Sequence, residues 1–145
     1  MLKNILRNQK YIDISSKNVK ESIEFLLEEQ IHFGIVANIK NISFNPKLPE
    51  DISKNLNEYS LFSLAGYTFE SAHTNENDLF FEAGFGQDNF GSVLKVPFES
   101  IFQVIVDENI LVLNLCATIE KESKEPKKNS FDVFKNKDWF SFFWK

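Results

Sequence analysis

Few side chains in this sequence have the type and spacing that acid–base or nucleophilic chemistry needs. The only two histidines, His32 and His73, are far apart in the sequence, and each lies in a segment that we expect to be a turn. A histidine can transfer a proton near neutral pH, but an isolated histidine in a turn is usually solvated. Cys116, the only cysteine, lies in the apolar run 110–119. Because a single cysteine cannot form an internal disulfide, we predict a reduced core residue there.

The remaining motifs also give no catalytic or cofactor site. The sequence contains no HExxH, no His/Cys cluster with zinc spacing, no GxSxG and no P-loop. Gly84 and Gly86 form a GxG, but it falls inside a predicted hairpin, where it cannot cradle a phosphate as a strand-to-helix loop would. Glu82 lies in the middle of a predicted strand, where it either points to solvent or contacts a ligand at the rim of a groove. We therefore predict a protein that is not an enzyme and that uses no cofactor or metal.

Composition indicates a single folded domain and excludes several classes of partner. The chain has 145 residues, of which 43% are hydrophobic and 26% charged, so it can form one packed core. Its net charge of −5 argues against nucleic-acid binding, which needs basic side chains to replace counterions around phosphates. No run approaches the roughly 20 apolar residues of a membrane span. The N-terminus has no unbroken apolar stretch typical of a signal peptide, so we predict a cytoplasmic protein.

One helix is clear from its periodicity. Asn18 is a candidate N-cap, and Glu21 can complete a capping box, so we predict a helix that runs to about Gln30. Residues 1–14 are either a short helix or a mobile lead. The apolar stripe of the helix comprises Val19, Ile23, Leu26, Leu27 and Ile31.

Short strand patterns follow this helix with tight connections. A loop with at most one helical turn is expected over residues 47–58, and a hairpin tip over residues 86–91. The order predicts an α+β fold with a leading helix packed on a small barrel or a pair of sheets. Strands are predicted over residues 34–40, 42–45, 59–69, 79–85, 93–96, 103–106 and 110–119.

The C-terminal part of the chain differs from the predicted domain of residues 1–120. Residues 121–130 are rich in charge, contain a proline and carry no apolar side chain, so we predict a flexible linker. Residues 131–145 contain seven aromatic side chains, which predicts an interaction segment. This aromatic segment could dock on a partner protein, fold back on the domain's own groove, or hold the protein on a membrane surface or larger assembly.

Several segments, taken in order, resemble the SspB (stringent starvation protein B) family of protease adaptors. The resemblance covers about residues 19–116 and depends on the order of short patterns, not on any single motif. The connection 47–58 and the hairpin tip 86–91 are longer than is usual in the family, and the tip lacks an Arg that many members carry. The segments are a helix at 21–31 followed by a strand at 34–39, an alternating run at 42–46, a strand that ends in small residues at 61–66, and the hairpin 77–86 with its second arm at 93–101.

The resemblance implies helices packed on a small Sm-like, two-sheet β-barrel of about six to seven short strands. It also implies an adaptor that binds ssrA-like C-terminal degradation tags in a groove and delivers the substrates to the ClpXP protease. Small residues would let a foreign backbone approach closely, although the glycines could equally serve a bulge or barrel bend, and Leu64 and Phe81 could be core residues. The candidate peptide-binding residues are Leu64, Ala65, Gly66, Phe81, Glu82, Ala83, Gly84, Phe85 and Gly86.

Two protein partners follow from the same resemblance. Family members form homodimers through the first helix, and here the candidate surface is the helix edge that carries Phe25. Their C-terminal peptide docks on the ClpX unfoldase. In this chain the candidate docking residues are Trp139, Phe140, Phe142, Phe143, Trp144 and Lys145. An alternative is a subunit that the aromatic segment anchors to a membrane surface or assembly, although we expect no membrane partner. A nucleic-acid-binding Sm-like or OB-like domain would need basic surface charge, which the sequence lacks.

Overall fold

The computed structural model describes residues 1–119. The predicted linker 121–130 and the aromatic segment 131–145, with its candidate docking residues, lie outside the described residues. The helices are α1 (Leu2–Arg7), α2 (Gln9–Glu28), α3 (Glu50–Ser53) and α4 (Gly66–Ser71).

Helix α2 begins well before the predicted start, so the proposed N-cap at Asn18 is wrong. The side chain of Asn8 accepts a hydrogen bond from the Lys10 backbone N–H at 2.9 Å and caps the helix, while Asn18 is an exposed residue within it. Periodicity missed this start because residues 9–17 contain no buried side chain. The predicted apolar stripe is confirmed at Val19, Ile23 and Leu26, which are almost fully buried.

The strands form two antiparallel four-stranded sheets and not a closed barrel. They are β1 (Phe33–Asn38), β2 (Ser43–Asn45), β3 (Tyr59–Leu64), β4 (His73–Thr74), β5 (Asp78–Phe85), β6 (Phe90–Pro97), β7 (Ile101–Val106) and β8 (Asn109–Leu113). The expected number of six to seven is therefore too low, because the two-residue strand β4 was not predicted. One sheet has the order β3-β1-β7-β8 and the other β2-β6-β5-β4. The α+β class and the two-sheet arrangement with a long helix agree with the prediction.

Three predicted strands are too long. The strand predicted over residues 34–40 ends at Asn38, whose side chain accepts from the Lys40 N–H and caps a 3-10 helix over residues 39–41. The strand predicted over residues 59–69 ends at Leu64, because Gly66 has a φ of 56° and starts α4. A left-handed residue of this kind suits glycine and reverses the chain. The strand predicted over residues 110–119 ends at Leu113, and Asn114 then caps a 3-10 helix over residues 115–118. The β5–β6 hairpin is confirmed, and each arm extends one residue further at its outer end than predicted. The second arm also starts at Phe90, which shortens the predicted tip 86–91 to residues 86–89.

The core lies between the two sheets and under α2. Its largest fully buried side chains include Phe81 of β5, Ile35 of β1, Leu94 of β6 and Ile23 of α2. Burial of each such side chain contributes about 1.5–3 kcal/mol. A smaller cluster lies around Val36 and includes residues of the C-terminal 3-10 helix.

Candidate functional site

A groove of about 390 Å³ runs between the outer edge of β3 and the C-terminal half of β5. Its volume is within the range of small-ligand and peptide sites. Residues beyond the C-terminal end of β3 and before its N-terminal end also contribute to the lining. The lining residues are Asn55, Leu56, Asn57, Ser60, Leu61, Phe62, Ser63, Thr68, Phe81, Ala83, Gly84 and Phe85.

One wall of this groove is an edge strand with open backbone positions. Strand β3 pairs with β1 on one side only, and within residues 1–119 no strand pairs with its other edge. The Ile39 N–H donates to the Glu58 carbonyl at 2.9 Å, which continues the β1–β3 register by one pair. Because bonded and non-bonded pairs alternate in an antiparallel ladder, Ser60, Phe62 and Leu64 bond to β1. The N–H and C=O groups of Leu61 and Ser63 therefore point away from β1, towards the groove.

The opposite wall is the part of β5 that lies beyond its pairing with β4. Strand β4 pairs only with Leu79 and Phe80. The Glu82 N–H donates instead to Ser71 Oγ at 2.9 Å, which shows that this edge of β5 faces away from β6. Gly84 lies two residues further along β5, so its N–H and C=O groups also point away from β6, beside the groove. Along the groove, β3 of one sheet and β5 of the other therefore face each other without pairing.

The floor of the groove is aromatic and its lining is uncharged. The Phe62 ring packs against Phe81 and Phe85, with centroid distances of 5.9 Å and 6.4 Å. Side-chain amides and hydroxyls surround this floor, and the twelve lining residues include no Asp, Glu, Lys, Arg or His. The groove can therefore offer apolar contacts and neutral hydrogen bonds but no ion pair.

Four of the nine predicted peptide-binding residues meet in this groove, namely Phe81, Ala83, Gly84 and Phe85. Phe81 is also a core residue, with 1% exposure. Gly84 differs from the expectation that it leaves space for a foreign backbone. A Cβ at this position would overlap the amide oxygen of Asn89, so the glycine makes room for the hairpin turn's own side chain.

The other five predicted residues do not line the groove. Leu64 is fully buried in the core, and Ala65 is the exposed N-cap residue of α4. Gly66 supplies the left-handed start of α4. Glu82 lies on the opposite face of β5, where the Tyr67 hydroxyl donates to its Oε2 at 3.3 Å. Gly86 has a φ of 72° in the hairpin turn and lies against Ile52.

Sequence reasoning missed the wall formed by β3 and by the segment before it. Ser63 is an exposed polar residue within a strand, which could have marked the side of β3 that is not covered. Asn55 and Asn57 lie in a connection with no periodicity, so nothing in the sequence places them beside β5. The missed lining residues are Asn55, Leu56, Asn57, Ser60, Leu61, Phe62, Ser63 and Thr68.

The histidines and the cysteine lie outside this groove. The His32 ring packs edge-on against Phe69 with a centroid distance of 4.9 Å, and the His73 ring stacks on Phe80 at 5.0 Å. Cys116 is buried, as predicted, and burial raises the pKa of its thiol, which lies 3.6 Å from Ser15 Oγ. Within the described part of the chain, no group of three or more His, Cys, Asp or Glu side chains could hold a metal ion.

A larger cavity, of about 900 Å³, lies where α1 and the start of α2 meet the end of the described chain. Arg7, Lys40, Glu99 and several amide side chains line it, and Ile119 lies at its border. On the exposed side of α2, Phe25 is 55% exposed. A homodimer through this helix edge remains a prediction.

A scan of protein-family models found no match to the chain, and a search of curated proteins found none either. Among residues 1–119, no helix has both the length and the apolar character needed to cross a membrane.

Proposed function

We propose that this protein is a peptide-binding module that accepts an extended segment of another protein as an added strand on β3. The observation that carries the proposal is the edge of β3, where the backbone groups of Leu61 and Ser63 open into an uncharged groove with an aromatic floor. In strand addition, main-chain hydrogen bonds supply affinity, and the pockets under alternate side chains supply specificity.

The lining indicates which segments fit. Because it contains no charged side chain, burial of a charged ligand residue would leave an unpaired charge at a cost of several kcal/mol. Small and apolar residues can instead pack on the half-buried Phe85 ring, which Phe62 supports from the core. Polar neutral residues can bond to the side-chain amide of Asn57 and to Oδ1 of Asn55, whose Nδ2 donates to the Asp51 carbonyl.

We propose further that this module is a proteolytic adaptor of the SspB type. Its two sheets would then be arranged as in an Sm-like fold. The bound segment would be a C-terminal degradation tag, and the aromatic residues 131–145 would dock on the ClpX unfoldase. Two binding sites on one chain would raise the effective concentration of captured substrate at the protease to about the millimolar range. An added strand on β3 would fill the seam at which the two sheets are open towards each other.

The test is fluorescence anisotropy of a labelled tag-like peptide that ends in small apolar residues, titrated with the full-length protein. Ala83 lines the groove, so Ala83→Trp should abolish saturable binding. The matched control is Val93→Trp on β6, a position that is 40% exposed and outside the lining, and which should leave binding unchanged. Binding that survives Ala83→Trp in a folded protein, or no binding by the unsubstituted chain, would reject the proposal.

A further inference from the structure

Strand β8 presents an apolar surface that residues 1–119 do not cover. Ile110, Leu111 and Leu113 are 44%, 54% and 50% exposed, while Val112 between them is buried in the core. A bulge explains this pattern, because Ile110 pairs with Ile105 and Val112 with Val104, so that Leu111 is the extra residue. The bulge directs all three exposed side chains to the outer face of the sheet. We call these three residues the β8 patch.

The β8 patch adjoins a face that is already partly covered. Gln103 lies opposite Leu113 on this face and is 4% exposed. Its Oε1 is the one buried side-chain nitrogen or oxygen of the described residues that has no hydrogen-bond partner. Leu115 and Ala117, from the 3-10 helix after β8, pack beside it on Val36 and its neighbours. The 3-10 helix therefore covers part of this face, and the rest of the face is still exposed where the described residues end.

An uncovered patch of this kind is a hazard on an edge strand. Edge strands offer unpaired backbone groups, and proteins usually protect them with charged residues, proline or a covering segment. Residues 109–113 contain no charged residue and no proline. Contiguous exposed apolar surface commonly marks an interaction site, so the β8 patch calls for an occupant.

We propose that residues 131–145 of the same chain are that occupant. The described chain ends at Ile119, directly after the 3-10 helix that lies on this face. Eleven residues, 120–130, separate this point from Phe131 and can span up to about 36 Å. The four-stranded sheet is only about 14 Å wide. The linker is thus long enough for the aromatic segment to return to β8.

The chemistry of the two surfaces is complementary. The segment carries seven aromatic side chains, which can cover the aliphatic β8 patch. Residues 1–119 hold nine basic and sixteen acidic side chains, a net charge of −7, whereas residues 120–145 hold seven basic and five acidic, a net charge of +2. Trp139 and Trp144 are largely apolar, but each also has an indole N–H that can donate a hydrogen bond. The Gln103 amide oxygen has no such donor among the described residues.

Because the segment is tethered to the domain, it can cover the β8 patch even if the contact between the two surfaces is weak. A tether of eleven residues gives the segment an effective concentration in about the millimolar range, so the patch is mostly covered when the separate surfaces would bind with a Kd of only about 100 μM. The inference does not depend on what the β3 groove binds, since the β8 patch is at the opposite edge of the same sheet. Docking of residues 131–145 on an unfoldase would compete with this contact, so the segment would have to leave the β8 patch first.

Tryptophan fluorescence of the full-length protein tests this directly, because both tryptophans of the chain lie in the segment. We expect a blue-shifted emission maximum and poor quenching by acrylamide. Leu111→Lys and Leu113→Lys place a charge on exposed positions and should shift the emission to that of a solvated tryptophan, with several-fold stronger quenching. The matched control Val93→Lys, at an exposed apolar position on the other sheet, should leave the emission unchanged.

Three outcomes would overturn the inference. The first is a solvated emission spectrum in the unsubstituted protein. The second is a blue-shifted spectrum that neither Leu111→Lys nor Leu113→Lys alters, which would place the segment elsewhere. The third is an emission maximum that moves to the red on dilution together with dissociation of an oligomer, which would make a second copy of the chain the occupant. Circular dichroism establishes that each variant is folded before its spectrum is interpreted.

Discussion

Replacement of Ser63 by proline is the sharpest perturbation of the β3 edge. Proline removes a backbone N–H and places ring atoms where the hydrogen was. The Ser63 N–H points away from β1, so the β1–β3 ladder keeps all of its hydrogen bonds. Proline is tolerated on edge strands for this reason. We therefore expect Ser63→Pro to fold and to lose the ability to accept an added strand.

The magnitude follows from the lost hydrogen bond. A neutral hydrogen bond such as the one from the Ser63 N–H to the peptide contributes a net of about 0.5–1.5 kcal/mol, and a buried peptide carbonyl left without a partner costs about 1–3 kcal/mol. A total of about 2 kcal/mol corresponds to a Kd about thirtyfold higher. Steric exclusion of the peptide by the proline ring adds to this value.

The assay is peptide titration by fluorescence anisotropy, paired with urea unfolding of each variant. Ser63→Val is the matched control, because it changes the side chain at the same position and keeps the N–H. We expect it to bind within a few-fold of the unsubstituted protein. Equal loss of affinity in both variants, or normal binding by folded Ser63→Pro, would show that the peptide does not pair with β3.

Three further outcomes are expected. Gly84→Ala should destabilise the protein by about 1 kcal/mol because the new methyl group displaces the Asn89 side chain. In an Asn89→Gly background the same substitution should stabilise the protein by about 0.5–1 kcal/mol. Urea unfolding that gives a change of the same sign in both backgrounds would contradict the overlap. A tag-like peptide with an amidated C-terminus should bind with the same Kd as the free acid, because no basic side chain lines the groove; a marked preference for the acid would contradict this. The thiol of Cys116 should react with a disulfide reagent much more slowly in the native protein than in urea, because burial covers it and raises its pKa; equal rates would show that the residue is open to solvent.

The sequence predicted the elements whose periodicity is strong. The apolar stripe of α2 and the alternation along β5 and β6 come from side chains that bury one face, and burial is a local signal. The start of α2 was missed because Asn8 caps a stretch without buried residues, so hydrogen bonding alone defines it. The end of β3 was missed because a single left-handed glycine, Gly66, overrides strand propensity.

The site was harder to predict than the fold. Phe81, Ala83 and Phe85 could be found because they share one face of a single strand. The facing wall consists of Ser63 and its neighbours together with Asn57, and these lie beside β5 only because of the order of strands in two separate sheets. No local pattern encodes that order. Gly84 illustrates the same limit, since the side chain that it accommodates belongs to the turn five residues later.

Amide hydrogen exchange across residues 60–64, measured by NMR with and without saturating peptide, tests the central proposal most directly. In the free protein, the amides of Ser60, Phe62 and Leu64 should exchange slowly because they bond to β1, and those of Leu61 and Ser63 should exchange fast. We expect the bound peptide to slow exchange at Leu61 and Ser63 and to leave the alternate residues unchanged. Persistently fast exchange at these two amides, with peptide bound, would contradict strand addition on β3.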